Sequence, residues 1–580
     1  MDVVVVGFGA AGACAAIEAA ASGASVLVVD RFGGGGATAI SGGVVYAGGG
    51  TRQQRSAAIT DTPIAMYEYL HREVQGAVSD RTLRRFCDES PAMLAWLEEQ
   101  GVPFDASLCP DKTSYPSNRH YLYQSGNEHL HPGPAPRGHR VFARGTSGGT
   151  LHARLAASVR AASTPAAGAQ VLLRTRAVSL VVDASGRVGG VRCRTLRAAP
   201  FWARFAFDRL HRWSVKPGVY VPRLGRALHR MVGWIENRYG RDLVIPADAV
   251  VLAAGGFVFD REMMREHAPR YRGLRLGTPG DDGSGIRLGT AAGAGVRHLD
   301  RVTLWRFLTP PSALLGGLLV DRDGRRICDE SLYGAAIGER ILDRPGGRAW
   351  LLVDAAVLAE ARRRLRAQTL WFQRLQVRWL LAHRISAPTV AEAARRAGID
   401  PAGLAETVAA HTRPEAATDS AAFLAGSEAA IDSAVSSAGP DAATDSAASS
   451  VGPDGTSTPA SSAGANGVPG RGLKVLGRAP FSLLDVSLRA LPAPMLTLGG
   501  LTVDEDTGGV LRPDGTVIEG LYAAGRTAVG VCSGSYVSGL SLADCVFSGR
   551  RAGRHAATPA PAHVAGPDGA IRDREGEGCA

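Results

Sequence analysis

Residues 2–30 read DVVVVGFGAAGACAAIEAAASGASVLVVD, and they decide the fold. Four valines make a short buried strand. The turn Gly7-Phe8-Gly9-Ala10-Ala11-Gly12 leads into an alanine-rich helix, and a second strand closes on Asp30. In a dinucleotide fold one glycine makes the turn, one admits the pyrophosphate and one lets helix and strand pack. The terminal acid meets a ribose hydroxyl. A lone GxGxxG would be weak, but strand, turn, helix, strand and acid in this order make it specific. The expectation is an α/β chain with a Rossmann-like nucleotide domain, Gly7, Gly9, Ala11, Gly12, Asp30 and the adjoining Arg31 on the cofactor.

The next segment separates the two common dinucleotides. Gly33 to Gly43, GGGGATAISGG, puts small and hydroxyl residues where a nicotinamide fold would continue with another helix. A loop of this kind offers backbone amides and two hydroxyls to the far side of a pyrophosphate and to an extended ribityl chain. FAD is therefore the expected cofactor, touched by Ala37, Thr38, Ser41, Gly42 and Gly43.

Composition limits the remaining choices. The 580 residues are 45% hydrophobic and 21% charged, values of a globular protein with room for two or more domains. Eight cysteines lack a CxxC pair, so reduced thiols in a cytoplasmic protein are expected, with no structural metal. The first strand starts almost at Met1, which predicts no signal peptide. No apolar run reaches the roughly 18 to 20 residues that span a bilayer. The net charge of +11 resides mainly in two arginine-rich segments. No recognition motif accompanies it, so nucleic acid is not an expected partner.

Near the other end, residues 519–550 read EGLYAAGRTAVGVCSGSYVSGLSLADCVFSGR. They predict a strand over 520–524, a glycine turn, a loop carrying an exposed Tyr536 and Ser538, and a helix opening at Ser541. Ser541 and Asp544 have capping-box spacing, making that helix end a positive pole.

Four motifs in fixed order, the GxGxxG with Asp30, GGATAISGG, VVLAAGGF at 250–257 and GLYAAGR at 520–526, resemble the fumarate-reductase-like flavoproteins, especially their 3-ketosteroid dehydrogenase branch. The resemblance implies a discontinuous FAD domain from residues 1–277 and 493–558, with an α+β substrate domain, 278–492, inserted. It places backbone near Val178 on the adenine and adds Ala254, Gly255, Gly525, Arg526, Ser541 and Leu542 to the cofactor contacts. Many relatives carry Glu or Asn where Arg526 stands.

The catalytic residues come from two loops. Gly324-Arg-Arg-Ile-Cys-Asp-Glu330-Ser-Leu-Tyr333 resembles the family's GRRFxNE segment, and the residue facing the flavin is then Tyr333. Tyr536 and Ser538 lie in the second loop. Fumarate reductases carry a catalytic arginine at the first position and, in the second loop, an arginine that clamps a carboxylate; the loss of both argues against a dicarboxylate. A phenol such as Tyr536 suits a neutral carbonyl, to which it donates one hydrogen bond. Tyr536, with the amide of Leu540, is expected to polarise a 3-keto oxygen, while Tyr333 and Ser538 handle the proton. The Tyr-x-Ser spacing resembles enzymes that desaturate C4–C5 of 5α-3-ketosteroids; C1–C2 stays open.

Residues 114–123 hold three more tyrosines, among which the sequence does not choose. His129, His131 and His139 read as solvated loop histidines. The implied partners are a lipophilic ketone and an external electron acceptor. An ene-reductase of a non-steroid enone and a flavin-binding scaffold without turnover are the competing functions.

Three inserts interrupt the pattern. Residues 197–245 and 362–384 both mix arginines with aromatics; in the first, peripheral contact with a membrane surface is favoured over an amphipathic face packed on the protein itself. Residues 412–471 are Ala, Ser, Gly, Pro, Thr and Asp, predicted disordered, as is the tail 559–580.

Overall fold

The computed structural model describes residues 1–162, 168–411, 476–491 and 493–558. The low-complexity insert and the tail lie outside them.

Both ends of the chain enter one six-stranded sheet, in the order Gly509–Leu511, Val517–Ala523, Ala249–Leu252, Val3–Val6, Ser25–Asp30, Gly168–Leu173. All neighbours are parallel except the first pair. Val3–Val6 is the middle of this arrangement, aligned with Val26 on one side and Ala249 on the other, so its four valines are buried on both faces. The helix Ala10–Ala21 packs on one face against the last described helix, Leu540–Ala556. Small residues allow the close approach: a Cβ on Gly549 would stand 2.5 Å from the Ala11 carbonyl oxygen, and one on Gly553 2.3 Å from that of Ala15.

Between residues 252 and 509 the chain builds further sheets. An antiparallel sheet runs Leu318–Val320, Trp350–Val353, Phe481–Asp485, Ile385–Ala387. A small sheet of Leu274–Arg275, Pro494–Thr497 and Val302–Leu304 lies where the chain leaves and re-enters the nucleotide-binding part.

The first basic aromatic insert forms two helices, Phe201–Tyr220 and Pro222–Tyr239, between the paired strands Val188–Thr195 and Arg241–Pro246. They meet closely at Gly218 and Gly225. Phe207, Val232 and Ile235 form a small core with Phe32, and His211 stacks on the Phe32 ring at 3.7 Å. The second insert forms Ala355–Gln368 and Trp371–Ala382.

Three local expectations are corrected. The last helix begins at Leu540, because Gly539 takes a left-handed conformation (φ 91°) and turns the chain one residue early. No side chain caps it: Ser541 is buried, and Asp544 is buried against the Cys532 thiol instead of facing the first amides. The glycine-rich loop contains a one-turn helix, Gly36–Ile40. His139 is buried on the strand Gly138–Arg140, its ring bonded to Thr51 Oγ1 and the Arg137 carbonyl, and burial lowers its pKa to about 4.

Candidate active site

The carboxyl ends of the parallel strands carry the predicted cofactor residues, the position at which open α/β sheets bind ligands. Gly7 is required by its conformation (φ 108°) and by contact, since a Cβ there would stand 2.4 Å from the Ala253 carbonyl oxygen. A Cβ on Gly12 would fall 1.9 Å from the Gly7 oxygen. Gly9 differs. Its Cβ would meet nothing nearer than Thr38 Oγ1 at 3.5 Å, so the glycine leaves a gap over an uncapped helix N-terminus.

Asp30 holds this loop together, one carboxylate oxygen accepting the Phe8 amide and the other those of Phe32 and Gly34. The Arg31 guanidinium is committed to Glu236 of the helical insert at 3.0 Å and to Asp282 at 2.9 Å. The two hydroxyls expected on the cofactor also serve the backbone: Thr38 Oγ1 accepts the Ala10 amide, and Ser41 Oγ donates to the Thr38 carbonyl. Ala37 is half-buried on the short helix. Gly42 takes the Tyr115 hydroxyl on its carbonyl, and Gly43 adopts φ 66°. Val178 is an exposed residue at a register shift between two paired strands.

Ala254 and Gly255 follow the strand beside Gly7, and Gly525 and Arg526 follow the next one. Arg526 is buried and donates to Asp281 at 2.5 Å, while its second terminal nitrogen has no hydrogen-bond partner. An orphaned buried guanidinium nitrogen beside glycines, with the gap at Gly9, fits a bound flavin dinucleotide. Ser541 and Leu542, the last predicted contacts, open the helix that packs against this edge.

The structure brings Tyr333, Tyr536 and Ser538 together. Tyr333 precedes the helix Gly334–Leu342, its amide held by Asn127 Oδ1 at 2.6 Å. The GRR segment anchors it from below: Arg326 pairs with buried Glu330, which also accepts the Leu319 amide. The Tyr333 and Tyr536 rings lie 6.5 Å apart at 25°. Tyr536 is half-buried, not exposed as expected from the sequence. Burial pushes its hydroxyl above the usual phenol range, the nearby Cys532 thiol adds to this, and the Gly539 amide with Arg526 pulls the other way. The Leu540 amide expected beside it is used by the Val537 carbonyl. Burial also raises Tyr333, helped by Tyr536 and Tyr123 and opposed by Ser538.

Three residues went unforeseen. From the cluster at 114–123, Tyr123 is the one whose hydroxyl meets Ser538 Oγ, at 3.2 Å; its pKa too is raised by burial. Trp305 lies edge-on to Tyr536 with centroids 5.0 Å apart, and Phe307 flanks Tyr333 at 6.0 Å. Between them Arg306 turns its guanidinium away, onto the Ser487 and Leu491 carbonyls. The result is an apolar aromatic cage containing hydroxyls, with no guanidinium offered to a carboxylate by Arg306. A Tyr-x-Ser loop can signal the hydroxyls, whereas nothing in TLWRFL marks its two aromatics as site residues.

This fold and site define an FAD-dependent flavoprotein: the FAD binding domain family matches residues 2–541, and the chain belongs to that family. Among characterised relatives it is 37% identical, over 90% of its own length and 92% of theirs, to 3-oxo-5-alpha-steroid 4-dehydrogenase of Comamonas testosteroni. It is 26% identical to 3-oxosteroid 1-dehydrogenase of Mycobacterium tuberculosis, covering 92% and 94%. The solved 3-ketosteroid-delta4-(5alpha)-dehydrogenase of Rhodococcus jostii RHA1, in complex with 4-androstene-3,17-dione, superposes with a TM-score of 0.70 at 27% identity, covering 96% of both chains.

Proposed function

We propose that this chain desaturates a 5α-3-ketosteroid between C4 and C5. The observation that carries the reading is the Tyr536-Val-Ser538 loop, whose serine lies 3.2 Å from the Tyr123 hydroxyl beneath paired phenols. The relationship to the C. testosteroni 4-dehydrogenase supports the steroid class and the bond position.

Tyr536 donates a hydrogen bond to the C3 carbonyl oxygen, assisted by the Gly539 amide. This stabilises the negative charge that develops on that oxygen as the C4 proton leaves. Ser538 Oγ takes the C4 proton as it hands its own to the Tyr123 hydroxyl, and the Tyr123 and Tyr333 hydroxyls pass one proton on to solvent water, so that each group ends the step neutral. The raised phenol pKa values keep each tyrosine protonated, as a donor or relay and not a free phenolate. Trp305 and Phe307 exclude water and flank the steroid rings. When bound, FAD supplies the acceptor for the hydride from C5. Gly7, Gly9, Gly12, Gly255, Gly525 and Arg526 would hold it, and an external electron acceptor is the expected partner.

The division into an FAD part, 1–277 with 493–558, and a substrate part, 278–492, belongs to the same reading. The exposed Phe201, Trp202, Phe205 and Trp234 of the helical insert support peripheral membrane contact, suited to a water-poor substrate. The cysteines among the described residues are all unpaired, which supports a reducing, cytoplasmic compartment. No described helix is long and apolar enough to cross a membrane.

The test is anaerobic mixing with 5α-3-ketosteroids, following loss of the yellow flavin absorbance and identifying the product's double bond. A 4-ene product supports the assignment. A 1-ene product, or bleaching by no ketosteroid, overturns it.

A further inference from the structure

The second basic aromatic insert forms a structure that the steroid reading does not use. Helices Ala355–Gln368 and Trp371–Ala382 enclose a cleft of about 450 Å³ whose wall includes Arg362, Arg363, Arg366, Arg374, Arg378 and Arg384. Acids are scarce there. Glu360 takes Arg363 and, with Asp111, the neighbouring Arg364. Among the described residues no carboxylate pairs with Arg362, Arg366, Arg374, Arg378 or Arg384. Arg374 donates to the Thr369 hydroxyl and to the Thr369 and Arg366 carbonyls, and Arg384 to the Leu381 carbonyl, so their hydrogen bonds go to neutral groups and leave the charges uncompensated.

The second helix shows what lies next to this charge. Trp371, Leu375 and Trp379 recur every fourth residue, so they share one side, and they are 72%, 58% and 45% exposed. Arg378 lies on the same side, while Gln373 and Leu381 face the protein. A helix meant only for water would turn polar residues outward. Here the outward ridge is two indoles and a leucine, bordered by guanidiniums without counterions. Indoles settle at the boundary between lipid headgroups and chains, and arginine pairs bidentately with phosphate.

We infer that the helix pair 355–382 is a docking surface for an anionic phospholipid bilayer, the arginine cleft taking headgroup phosphates and the Trp371–Leu375–Trp379 ridge entering the interface. The ridge favours lipid over nucleic acid, because the exposed Leu375 between the indoles gives a base nothing to stack on while it gains from entering an acyl layer. The inference does not depend on the steroid reading. It concerns different residues from the insert at 201–239, so the two membrane contacts can be tested apart.

The test uses the full-length holoenzyme, sedimented with phosphatidylcholine vesicles with and without phosphatidylglycerol, at low and high salt. Binding is expected only with phosphatidylglycerol and should fall with salt. Each arginine near an anionic surface contributes about fivefold, so Arg362→Gln, Arg366→Gln and Arg378→Gln together should weaken partitioning about a hundredfold. The flavin absorbance spectrum and Tm of the triple variant should stay at the parent level, showing that it is folded and loaded. Quenching of tryptophan fluorescence by brominated lipid should drop in Trp371→Phe with Trp379→Phe. The inference is overturned if the triple variant binds anionic vesicles like the parent, if neutral vesicles bind equally well, or if only Phe201→Ser with Trp202→Ser and Phe205→Ser abolishes binding. It is equally overturned if inorganic phosphate or a single-stranded oligonucleotide occupies the cleft while vesicles leave it free.

Discussion

Replacing Tyr536 by phenylalanine removes one oxygen atom from the proposed carbonyl site and little else. The ring keeps its edge contact with Trp305, centroids 5.0 Å apart, and its place 6.5 Å from Tyr333, so the cage stays filled. What is lost is one preorganised donor aimed at an oxygen whose charge grows during proton removal. Deleting such a donor lowers kcat by about 10²–10³, roughly 2.7–4 kcal/mol. The Gly539 amide remains beside the vacated position, which puts the expected loss near the lower end, about a hundredfold. The assay is anaerobic rapid mixing of the loaded enzyme with a 5α-3-ketosteroid, recording flavin bleaching. An unchanged flavin spectrum and Tm would show that folding and cofactor retention survive. Bleaching slowed by less than about threefold, under 1 kcal/mol, would refute the role given to this hydroxyl. The pH profile adds a second check. Burial raises the phenol pKa, so the donor keeps its proton, and no loss of rate attributable to Tyr536 should appear between pH 6 and about 9.

Four further outcomes are expected. Ser538→Ala should slow bleaching by about 10²–10⁴-fold, with Tyr123→Phe slowing it less; equal rates for all three enzymes in the same mixing experiment would remove the proton relay. Gly12→Ala forces a Cβ to within 1.9 Å of the Gly7 carbonyl oxygen, so the purified variant should lose its flavin, read as the ratio of flavin to protein absorbance. Asp281→Ala strands the buried Arg526 guanidinium and should cost about 3–5 kcal/mol in denaturant unfolding. His211, stacked on Phe32, is lowered from 6.5 to about 3 by burial, with the His229 and Arg31 charges adding. Between those values the unfolded chain binds a proton that the folded chain refuses. Stability present above pH 6.5 is therefore lost on acidification, by up to about 1.4 kcal/mol per pH unit, and His211→Phe should flatten that slope in thermal melts.

What could be read from sequence followed local geometry. Gly7 and Gly12 announce themselves because backbone allows nothing larger there, and a valine run between two turns has few homes besides a central parallel strand. Tyr333, Tyr536 and Ser538 were legible through motif order, and the structure brings them close together. The failures are long-range or conformational. Ser541 and Asp544 have cap spacing, but the left-handed Gly539 starts the helix first and burial turns Asp544 to Cys532. His139 follows a proline- and glycine-rich run, yet pairing with Val45 draws it inside. Tyr123, Trp305 and Phe307 acquire meaning only when segments hundreds of residues apart converge.

The sheet that joins the two ends of the chain also sets a timetable. Ala249–Leu252 has its parallel neighbour Val517–Ala523 more than 260 positions downstream, so a ribosome making this protein exposes an unfinished edge through nearly half of translation. Arg526 and the closing helix emerge later still. Capture of the yellow cofactor must then be among the last events of biogenesis, and a chain stalled before residue 520 should depend on chaperones and leave the translation machinery colourless.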